Sequence, residues 1–376
     1  MRAVSVALAV LLLLSLTGCT QSIYNSRRDI ESLNVVQVLG IDVSENGGVT
    51  VSAATGSDAS GRDPLRLKCE GESLEVAMRD LENLAGPGSL FFSGTGAIVL
   101  GEDAAKSAPQ WLDAIARSKD LRIDTELFVA RGGTAAEFIT GDDAPRDAYA
   151  ALEALAERAN RYGPGSSESC AEISRALVES GAAAALAFEL ADGADDERIC
   201  VPAGYFVLTD ADKALSLEGK AAMGAGLMLY GAGMSLIDLG DGVIAELDGV
   251  AVELQPSWND GRSLAALNIA LDVRGSIIEA PAGSSFGSEG AWDAYAQALA
   301  NEVGAWVRAA VGSSQAAQLD FLGLGRKLEV RWPQKYAAVR GGWDYTFSDI
   351  EISVSSTGTL LNVREFVASP YEEAEQ

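Results

Sequence analysis

Cys19 is the residue whose type and setting point most directly to chemistry. It follows the short stretch Leu16 to Gly18, which ends an apolar run that starts after the single positive charge of Arg2. A charged start, a short apolar run and a small-residue end are typical of a secretory signal, and this run is shorter than the roughly 20 apolar residues of a membrane span. Because polar Thr20 follows at once, the pattern looks like a bacterial lipobox, in which Cys19 is acylated and becomes the new N-terminus. The alternative is an ordinary cleaved signal with an incidental cysteine.

A serine pattern, Gly-x-Ser-x-Gly at 283–287, suggests a second chemistry. In esterases this pattern presents a nucleophilic serine that a histidine base activates. The chain contains no histidine, which also removes Cys-His catalysis, histidine-containing zinc sites and histidine-based pH sensing. We interpret 283–287 as a Gly/Ser loop, and the sequence predicts no catalytic residue, no metal ligand and no cofactor.

The remaining cysteines are few and far apart. Without Cys19, the chain has Cys69, Cys170 and Cys200, an odd number at wide spacing. This is neither a disulfide framework nor a metal-binding knuckle. We expect buried free thiols, with a Cys170–Cys200 bridge as the alternative in an oxidising compartment.

The composition describes a globular, strongly acidic chain. The 376 residues are 48% hydrophobic and 22% charged, and the formal net charge is −26. This length allows two or three domains. Such a charge repels nucleic acid and anionic lipid, so we expect binding to neither by charge alone. After Cys19 no apolar run is long enough to cross a bilayer, so a membrane link would depend on the acyl chains and on protein partners.

Strands and helices alternate in the N-terminal third. Hydrophobic patterning predicts the strands Val35 to Val43 and Val49 to Ala54, and a helix that Ser73 caps. From Asp147 to Leu190 the pattern becomes Ala-rich and is predicted to be helical. We therefore expect an α+β fold of three domains: residues 1–18 as the signal peptide, 19–140 as an α/β domain, 141–200 as a helical section and 201–376 as a second α+β domain.

The C-terminal half contains the longest elements. Val243 to Leu254 and Ser263 to Ile278 are predicted strands, and a long amphipathic helix is predicted from Glu289 to Val311. A last strand is predicted around Ile352, ending at Thr357-Gly358. Gly224-x-Gly226 resembles part of a nucleotide-binding fingerprint, but the third glycine position holds Leu229 and no Gly-Lys-Ser/Thr follows, so we predict close helix packing instead.

Three groups of residues, in this order behind the lipobox, resemble one known family. They are Arg27 to Leu33 with Val38 to Asp42; Gly71 to Glu75 with Phe91 to Gly94, Ile98 to Glu102 and Leu127 to Gly132; and Asp320 to Gly325 with Trp332-Pro333, Tyr336, Trp343-Asp344, Phe347 and Thr357-Gly358. Together they resemble the Ger(x)C spore germination lipoproteins, the C subunits of nutrient germinant receptors. Three departures are Thr20, where the family commonly has an aromatic residue, Arg326, where it has an acid, and the C-terminal helices, which are usually Lys-rich in the family and are replaced here by Ala, Gly and acids.

The resemblance implies a non-enzymatic receptor subunit. It would be exported, lipidated at Cys19 and held on the outer face of the spore inner membrane. There it would form a complex with a polytopic A subunit and a transporter-like B subunit, and nutrient sensing by that complex would trigger release of ions and dipicolinate. The implied fold is a mixed α+β arrangement of three domains. Whether this chain contacts the nutrient is left open.

Arg27, Arg28 and Asp29 are candidate partner contacts. Charged residues beside a lipid anchor are usually a solvated collar. The competing hypothesis is that the arginine pair docks on an acidic partner surface through bidentate contacts. The aromatic residues Trp332, Trp343 and Phe347 are interpreted as core rather than interface.

Two other classes of function remain as alternatives. A solute-binding lipoprotein of a membrane transporter would show two similar α/β lobes around a cleft, and the sequence shows no such duplication. A cell-wall hydrolase could use two carboxylates without histidine, but among 54 acidic residues no specific pair stands out.

Overall fold

The structure, a computed structural model, consists of two β-sheets with helices on their faces. It describes residues 33–56, 64–86, 89–193, 198–209, 213–231, 233–259, 263–281 and 289–363. The strands are β1 (Leu33–Val43), β2 (Val49–Thr55), β3 (Arg66–Gly71), β4 (Ser89–Phe91), β5 (Ala97–Gly101), β6 (Glu126–Ala130), β7 (Glu168–Ser169), β8 (Ala182–Asp192), β9 (Arg198–Thr209), β10 (Leu215–Leu217), β11 (Leu236–Asp238), β12 (Ile244–Asn259), β13 (Ser263–Glu279) and β14 (Glu351–Val363). The α-helices are α1 (Leu74–Leu84), α2 (Glu102–Ala105), α3 (Ala108–Arg117), α4 (Ala135–Thr140), α5 (Ala148–Tyr162), α6 (Cys170–Ser180), α7 (Gly219–Tyr230), α8 (Glu289–Ala317), α9 (Leu324–Arg331), α10 (Pro333–Tyr336) and α11 (Trp343–Asp349).

The larger sheet has a parallel centre and antiparallel flanks. Its order is β10-β9-β8-β6-β5-β1-β2-β3, with β4 paired to β1 and β7 paired to β6. The four central strands β8, β6, β5 and β1 run parallel to one another. Central strands that are covered on both faces are continuous apolar runs rather than alternating ones, and every residue of β5 is buried.

Helices cover both faces of this sheet. One face packs against the apolar sides of α1, α3 and α6, including Leu81, Trp111 and Ile173. The other face packs against α4, α5 and α7 and is continuous with the core of the smaller sheet. The helix predicted after Ser73 is confirmed as α1, and the Ser73 hydroxyl accepts a hydrogen bond from the amide of Val76 at 3.4 Å.

One element prediction is wrong. The Ala-rich segment from Ala182 to Leu190, expected to be helical, is strand β8 in the middle of the large sheet. Residues 182–188 are all buried between neighbouring strands, and burial on both faces outweighs the intrinsic preference of alanine for helix, which is less than about 1 kcal/mol per residue. Gly181, at φ 70°, ends α6 in the left-handed conformation and allows the chain to enter the strand.

The smaller sheet has the order β11-β12-β13-β14 and carries α8 on one face. The long strands β12 and β13 are antiparallel, and β14 runs parallel to β13. The predicted strand Ser263 to Ile278 is confirmed as β13, and its alternating residues Leu267, Ile269, Leu271 and Val273 are all buried. The last strand does not end at Thr357-Gly358 as predicted but continues to Val363.

Two glycines in α7 are explained by close packing, as the sequence predicted. A Cβ on Gly224 would overlap the carbonyl oxygen of Trp306 on α8. A Cβ on Gly226 would overlap the carbonyl oxygen of Pro164. The glycines therefore let α7 approach two backbones, and no nucleotide is needed to account for them.

The α+β fold class is confirmed by the two sheets and their covering helices. Strand β9 spans position 200, where a domain boundary is predicted, and pairs with β8 in the same sheet. The division into three domains stays a prediction. None of the helices in the described ranges is long and apolar enough to cross a membrane.

We expect Gly358→Ala to destabilise the fold. Gly358 of β14 lies against α8, and a Cβ there would overlap the carbonyl oxygen of Ala296. Relieving such overpacking costs about 1–3 kcal/mol, which urea titration of the purified chain would show as a lower free energy of unfolding. The control is Gly312→Ala in α8, where a Cβ meets nothing within 4 Å and where alanine should instead raise stability by about 0.5–1 kcal/mol. Equal effects at both positions would contradict this account of the packing.

Candidate functional site

The site residues predicted from the sequence, Cys19, Arg27, Arg28 and Asp29, lie outside the described residues, and so does the Gly/Ser pattern at 283–287. The described chain starts at Leu33, fourteen residues after Cys19. An extended chain spans at most about 3.6 Å per residue, so about 50 Å separates the two at most. The structure therefore limits how far the start of β1 can lie from Cys19.

The four parallel strands β1, β5, β6 and β8 start at one edge of the large sheet, which we call the anchor edge. Its residues are Leu33, Ala97, Glu126 and Ala182. At the opposite edge, the Asp42 carboxylate accepts hydrogen bonds from the amides of Ala135 and Ala136, the first residues of α4, at 2.8 and 2.9 Å. Burial raises the pKa of Asp42, and these two hydrogen bonds oppose that rise.

The charged residues at the end of the second group that carries the family resemblance also lie at this opposite edge. The Arg131 guanidinium contacts the carboxylates of Glu189 and Glu218, and the amide of Gly132 donates to Glu102 at 2.6 Å. These contacts tie the residues after β6 to β8 itself and to the segments that follow β5 and β10. The charges at this edge are therefore paired within the protein and fix loops in place.

The third group of residues that carries the family resemblance forms a buried cluster around Asp320. Its carboxylate accepts hydrogen bonds from the amides of Leu324 and Gly325, at 2.8 and 2.7 Å, and from Nε1 of Trp343 at 2.9 Å. Burial raises the pKa of Asp320 to about 6, although these three donors and the charge of Lys327 oppose that rise. The carboxylate thus holds the start of α9 and the start of α11 together.

Gly325 is required by this cluster. A Cβ at Gly325 would lie 2.5 Å from Nε1 of Trp343 and 2.7 Å from Oη of Tyr336. The Trp343 ring packs against the rings of Tyr336 and Phe347, with centroid distances of 5.5 and 5.8 Å. Trp343 and Phe347 are buried, so their interpretation as core is confirmed, whereas Trp332 is half-buried.

Two basic residues after Gly325 join α9 to the rest of the molecule. The largely buried ammonium of Lys327 donates to the carbonyl oxygens of Met228 in α7 and Leu322, at 2.7 and 3.1 Å. Desolvation lowers the pKa of Lys327, and Asp320 opposes that change. Arg326 lies 3.5 Å from a carboxylate oxygen of Glu179 at the end of α6. The C-terminal cluster is therefore fixed next to the anchor edge, where β8 follows α6.

A cavity of about 260 Å³ lies between α6 and the segment before α9. Glu168, Glu172, Arg175 and Lys327 are among the residues that line it. Burial and a hydrogen bond with Glu172 raise the pKa of Glu168 to about 8, and the hydrogen bonds from Glu168 and Ser169 lower the pKa of Glu172 to about 2. The two carboxyl groups therefore share one proton at neutral pH.

A shared proton between two carboxyl groups is also found in hydrolases, but Glu172 has a structural task here. Ser169 and Glu172 form a reciprocal cap at the start of α6, in which the Ser169 amide donates to Glu172 at 3.1 Å. The hydrogen bond from Glu168 and those of this cap account for the low pKa of Glu172 without a substrate. This cavity gives no specific support to the hydrolase alternative.

The three cysteines in the described residues are free thiols. Cys170 and Cys200 are buried and unbridged, and burial raises the pKa of each to about 12, which makes both unreactive at neutral pH. Cys69 is half-buried on β3. Within the described ranges no three side chains of the metal-binding types come together.

The described clusters are built from helix caps, ion pairs and tight packing around the two sheets. Comparison with known proteins identifies the family of this chain. A family model described as "Spore germination protein N-terminal domain" matches residues 26–188, and one described as "Spore germination B3/ GerAC like, C-terminal" matches residues 242–363. The chain belongs to the Ger(x)C family of spore germination proteins.

A solved structure has a similar fold. "Crystal Structure of the GerBC protein" is similar to this chain with a TM-score of 0.56 and 16% identity, over 86% of this chain and 97% of that chain. At this identity the similarity shows the fold alone. Among curated proteins none matches this chain.

In the sequence, only the family resemblance groups Asp320, Gly325 and Trp343 together. The contacts show what each does: Asp320 accepts hydrogen bonds, Trp343 donates one of them, and Gly325 leaves room for the Trp343 ring. The cap formed by Ser169 and Glu172 carried a sequence signal, since serine followed three residues later by glutamate marks a helix start. The proton shared by Glu168 and Glu172 has no signal in the sequence, because it depends on the burial of these side chains in the folded protein.

We expect Asp320→Asn to destabilise the protein at neutral pH by about 2–4 kcal/mol, because an amide nitrogen would then face N–H donors that have lost an acceptor. The measurement is the free energy of unfolding in urea, with Asp344→Asn, an exposed acid of α11, as the control.

The pH dependence of the same variant has a definite sign. The pKa of Asp320 is raised in the folded state, so its contribution to stability is fully present below about pH 4 and is lost as pH rises through about 6. Wild type should lose stability relative to Asp320→Asn over this window. A difference that is constant between pH 4 and pH 7 would contradict the assignment.

Proposed function

We propose that this chain is the C subunit of a nutrient germinant receptor, anchored through an acylated Cys19 to the outer face of the spore inner membrane. The observation that carries the proposal is that the two spore-germination family models match in order and together include residues of both sheets. A chain with this fold and a lipobox-like Cys19 suits a subunit held at a membrane by acyl groups, since two or more acyl chains anchor a protein stably.

The proposed role is non-enzymatic. Asp42, Asp320, Glu172 and Arg131 are engaged in caps, buried hydrogen bonds and ion pairs that hold elements of the fold. The chain has no histidine to act as a general base at neutral pH. The proposed partners are the polytopic A subunit and the transporter-like B subunit, and nutrient contact by this chain is not part of the proposal.

The solute-binding alternative is not favoured by the architecture. That function calls for two similar lobes that close on a ligand. The two sheets here differ, since one has a parallel centre within ten strands and the other is a four-stranded sheet with one parallel and two antiparallel pairings. Their cores are also continuous, which does not suit a hinge between lobes.

Spores that lack this protein, and spores that carry Cys19→Ala, should fail to germinate with nutrients but respond normally to calcium dipicolinate, which bypasses nutrient receptors. The loss follows because an unanchored subunit would not accumulate at the membrane beside its partners. Release of dipicolinate measures the response, and the wild-type gene restored in the deletion strain is the control. Normal nutrient germination, in a deletion strain that also lacks every other nutrient receptor, would refute the proposal.

The charged segment after the anchor gives a second test. If Arg27 and Arg28 dock on an acidic surface of the A or B subunit, Arg27→Ala with Arg28→Ala should reduce co-purification of those subunits by about tenfold, as expected for the loss of one charge-assisted contact of about 1.4 kcal/mol. The control is Arg117→Ala, because Arg117 is exposed and paired with Asp113. An intact complex in the double variant would show that the segment is a solvated collar.

A further inference from the structure

The segment from 321 to 343 reverses the charge of an otherwise acidic protein. It contains five basic residues and one acid, a local balance of +4, in a chain whose formal charge is −26. Over a screening length of about 8 Å at physiological ionic strength, a surface is governed by its own charges rather than by the total. The repulsion of anionic lipid expected from the whole chain therefore does not extend to this segment.

The basic residues of this segment differ in whether they form ion pairs with carboxylates. Arg326 and Arg340 both contact Glu329, the single acid of the segment. Arg331 has no carboxylate partner within 4 Å among the described residues, and Lys335 lies over the ring of Trp258 at 5.9 Å. Glu253 of β12 lines the same groove as Arg331 and keeps its negative charge while it accepts a hydrogen bond from Gln255. Apart from the largely buried Lys327, the four bases Arg326, Arg331, Lys335 and Arg340 lie near the three carboxylates of Glu329, Glu179 and Glu253, which leaves a small excess of positive charge, centred on Arg331 and Lys335.

Apolar side chains are exposed among these bases. Val330 is 69% exposed, and Trp332 is half-buried at a groove of about 400 Å³ that also includes Val252 and Leu254. We call Val330, Arg331, Trp332, Lys335 and Arg340 the basic surface. Basic residues with an exposed aliphatic side chain and a tryptophan between them are typical of a surface that rests on lipid headgroups.

Helix α9, whose last residues include Val330 and Arg331 of the basic surface, starts beside the anchor edge, where the described chain begins at Leu33. Helix α9 is tied to the end of α6 by Arg326 and Glu179, and α6 leads directly into β8, which starts at the anchor edge with β1. Lys327 ties the same helix to Met228, near the end of α7. The thirteen residues between Cys19 and Leu33 are long enough for this side to reach a bilayer to which Cys19 is attached.

We propose that the basic surface binds the anionic lipid headgroups of the membrane that holds the acylated Cys19, and so fixes the orientation of the protein on that membrane. This inference rests on the proposed lipid anchor. Each basic residue near an anionic bilayer strengthens binding by about fivefold, so Arg331 and Lys335 together account for about 25-fold.

The first experiment places a photo-crosslinking amino acid at Val330 in the full-length lipoprotein, held by its anchor in vesicles of phosphatidylglycerol and phosphatidylcholine. The control position is Val43, an exposed valine at the far end of the strand that starts at Leu33. We expect lipid crosslinks from position 330 to exceed those from position 43 by about tenfold or more, and to fall in phosphatidylcholine alone or in high salt.

Charge reversal tests the cause. Arg331→Glu with Lys335→Glu should remove the excess of lipid crosslinks from position 330. The matched control is Arg79→Glu with Lys106→Glu, which changes net charge equally at two exposed bases away from the basic surface. Crosslinks from position 330 that do not exceed those from position 43, or that survive reversal of Arg331 and Lys335, would overturn the proposal.

Native membranes distinguish lipid from a protein partner. Crosslinks from position 330 to a membrane protein instead of lipid would overturn the proposal in favour of an acidic protein surface. Failure of the anchor is separable, since the lipoprotein would then float with uncharged phosphatidylcholine vesicles no better than the Cys19→Ala chain does.

The second experiment gives a result even without the anchor. The full chain carrying Cys19→Ala is floated with anionic vesicles, with and without the two charge reversals. We expect binding to be at least about 25-fold weaker with the reversals, because each glutamate adds repulsion to the attraction that is lost, and equal binding would overturn the proposal.

Discussion

The buried carboxylate of Asp320 is the interaction on which the C-terminal part of the molecule depends. Three N–H donors converge on it, two from the start of α9 and one from the indole of Trp343. Burying an ionised carboxylate is tolerated only where such donors replace water. Helices α9, α10 and α11 are too short to be stable alone, so their arrangement follows from this one acceptor and from the aromatic rings packed beside it.

The same arrangement connects the two sheets. Lys327 and Arg326 lie on α9, the helix whose start is bound by Asp320. Lys327 contacts α7 and Arg326 contacts α6, and both of these helices pack on the large sheet. Gly224 and Gly226 bring α7 close to α8 and to the loop at Pro164. Hydrogen bonds, ion pairs and the close packing that the two glycines allow thus all contribute to the contact between the two sheets, which lies beside the anchor edge.

Much of the fold could be predicted from the sequence because the signals were local. The cap at Ser73, the alternation along β13 and the stripe along α8 depend only on neighbouring residues, and each is present. The strand from Ala182 to Asp192 could not be predicted, because its conformation depends on β6 and β9, which lie far away in sequence. The cluster around Asp320 needed the resemblance to identify its members and the contacts to explain them. The net charge of the whole chain did not reveal that residues 321–343 are locally basic, because a net charge says nothing about where the charged residues lie.

The pairing of β13 with β14 has a consequence for how the chain becomes folded. These strands are parallel, and residues 280–350, which include α8 to α11, lie between them. The smaller sheet therefore cannot close until residues as far as β14 have been synthesised. Long-range parallel pairing forms slowly, so β13 presents an unpaired edge during this interval. The period between synthesis of β13 and its pairing with β14 is when this protein is most vulnerable to aggregation and to proteases.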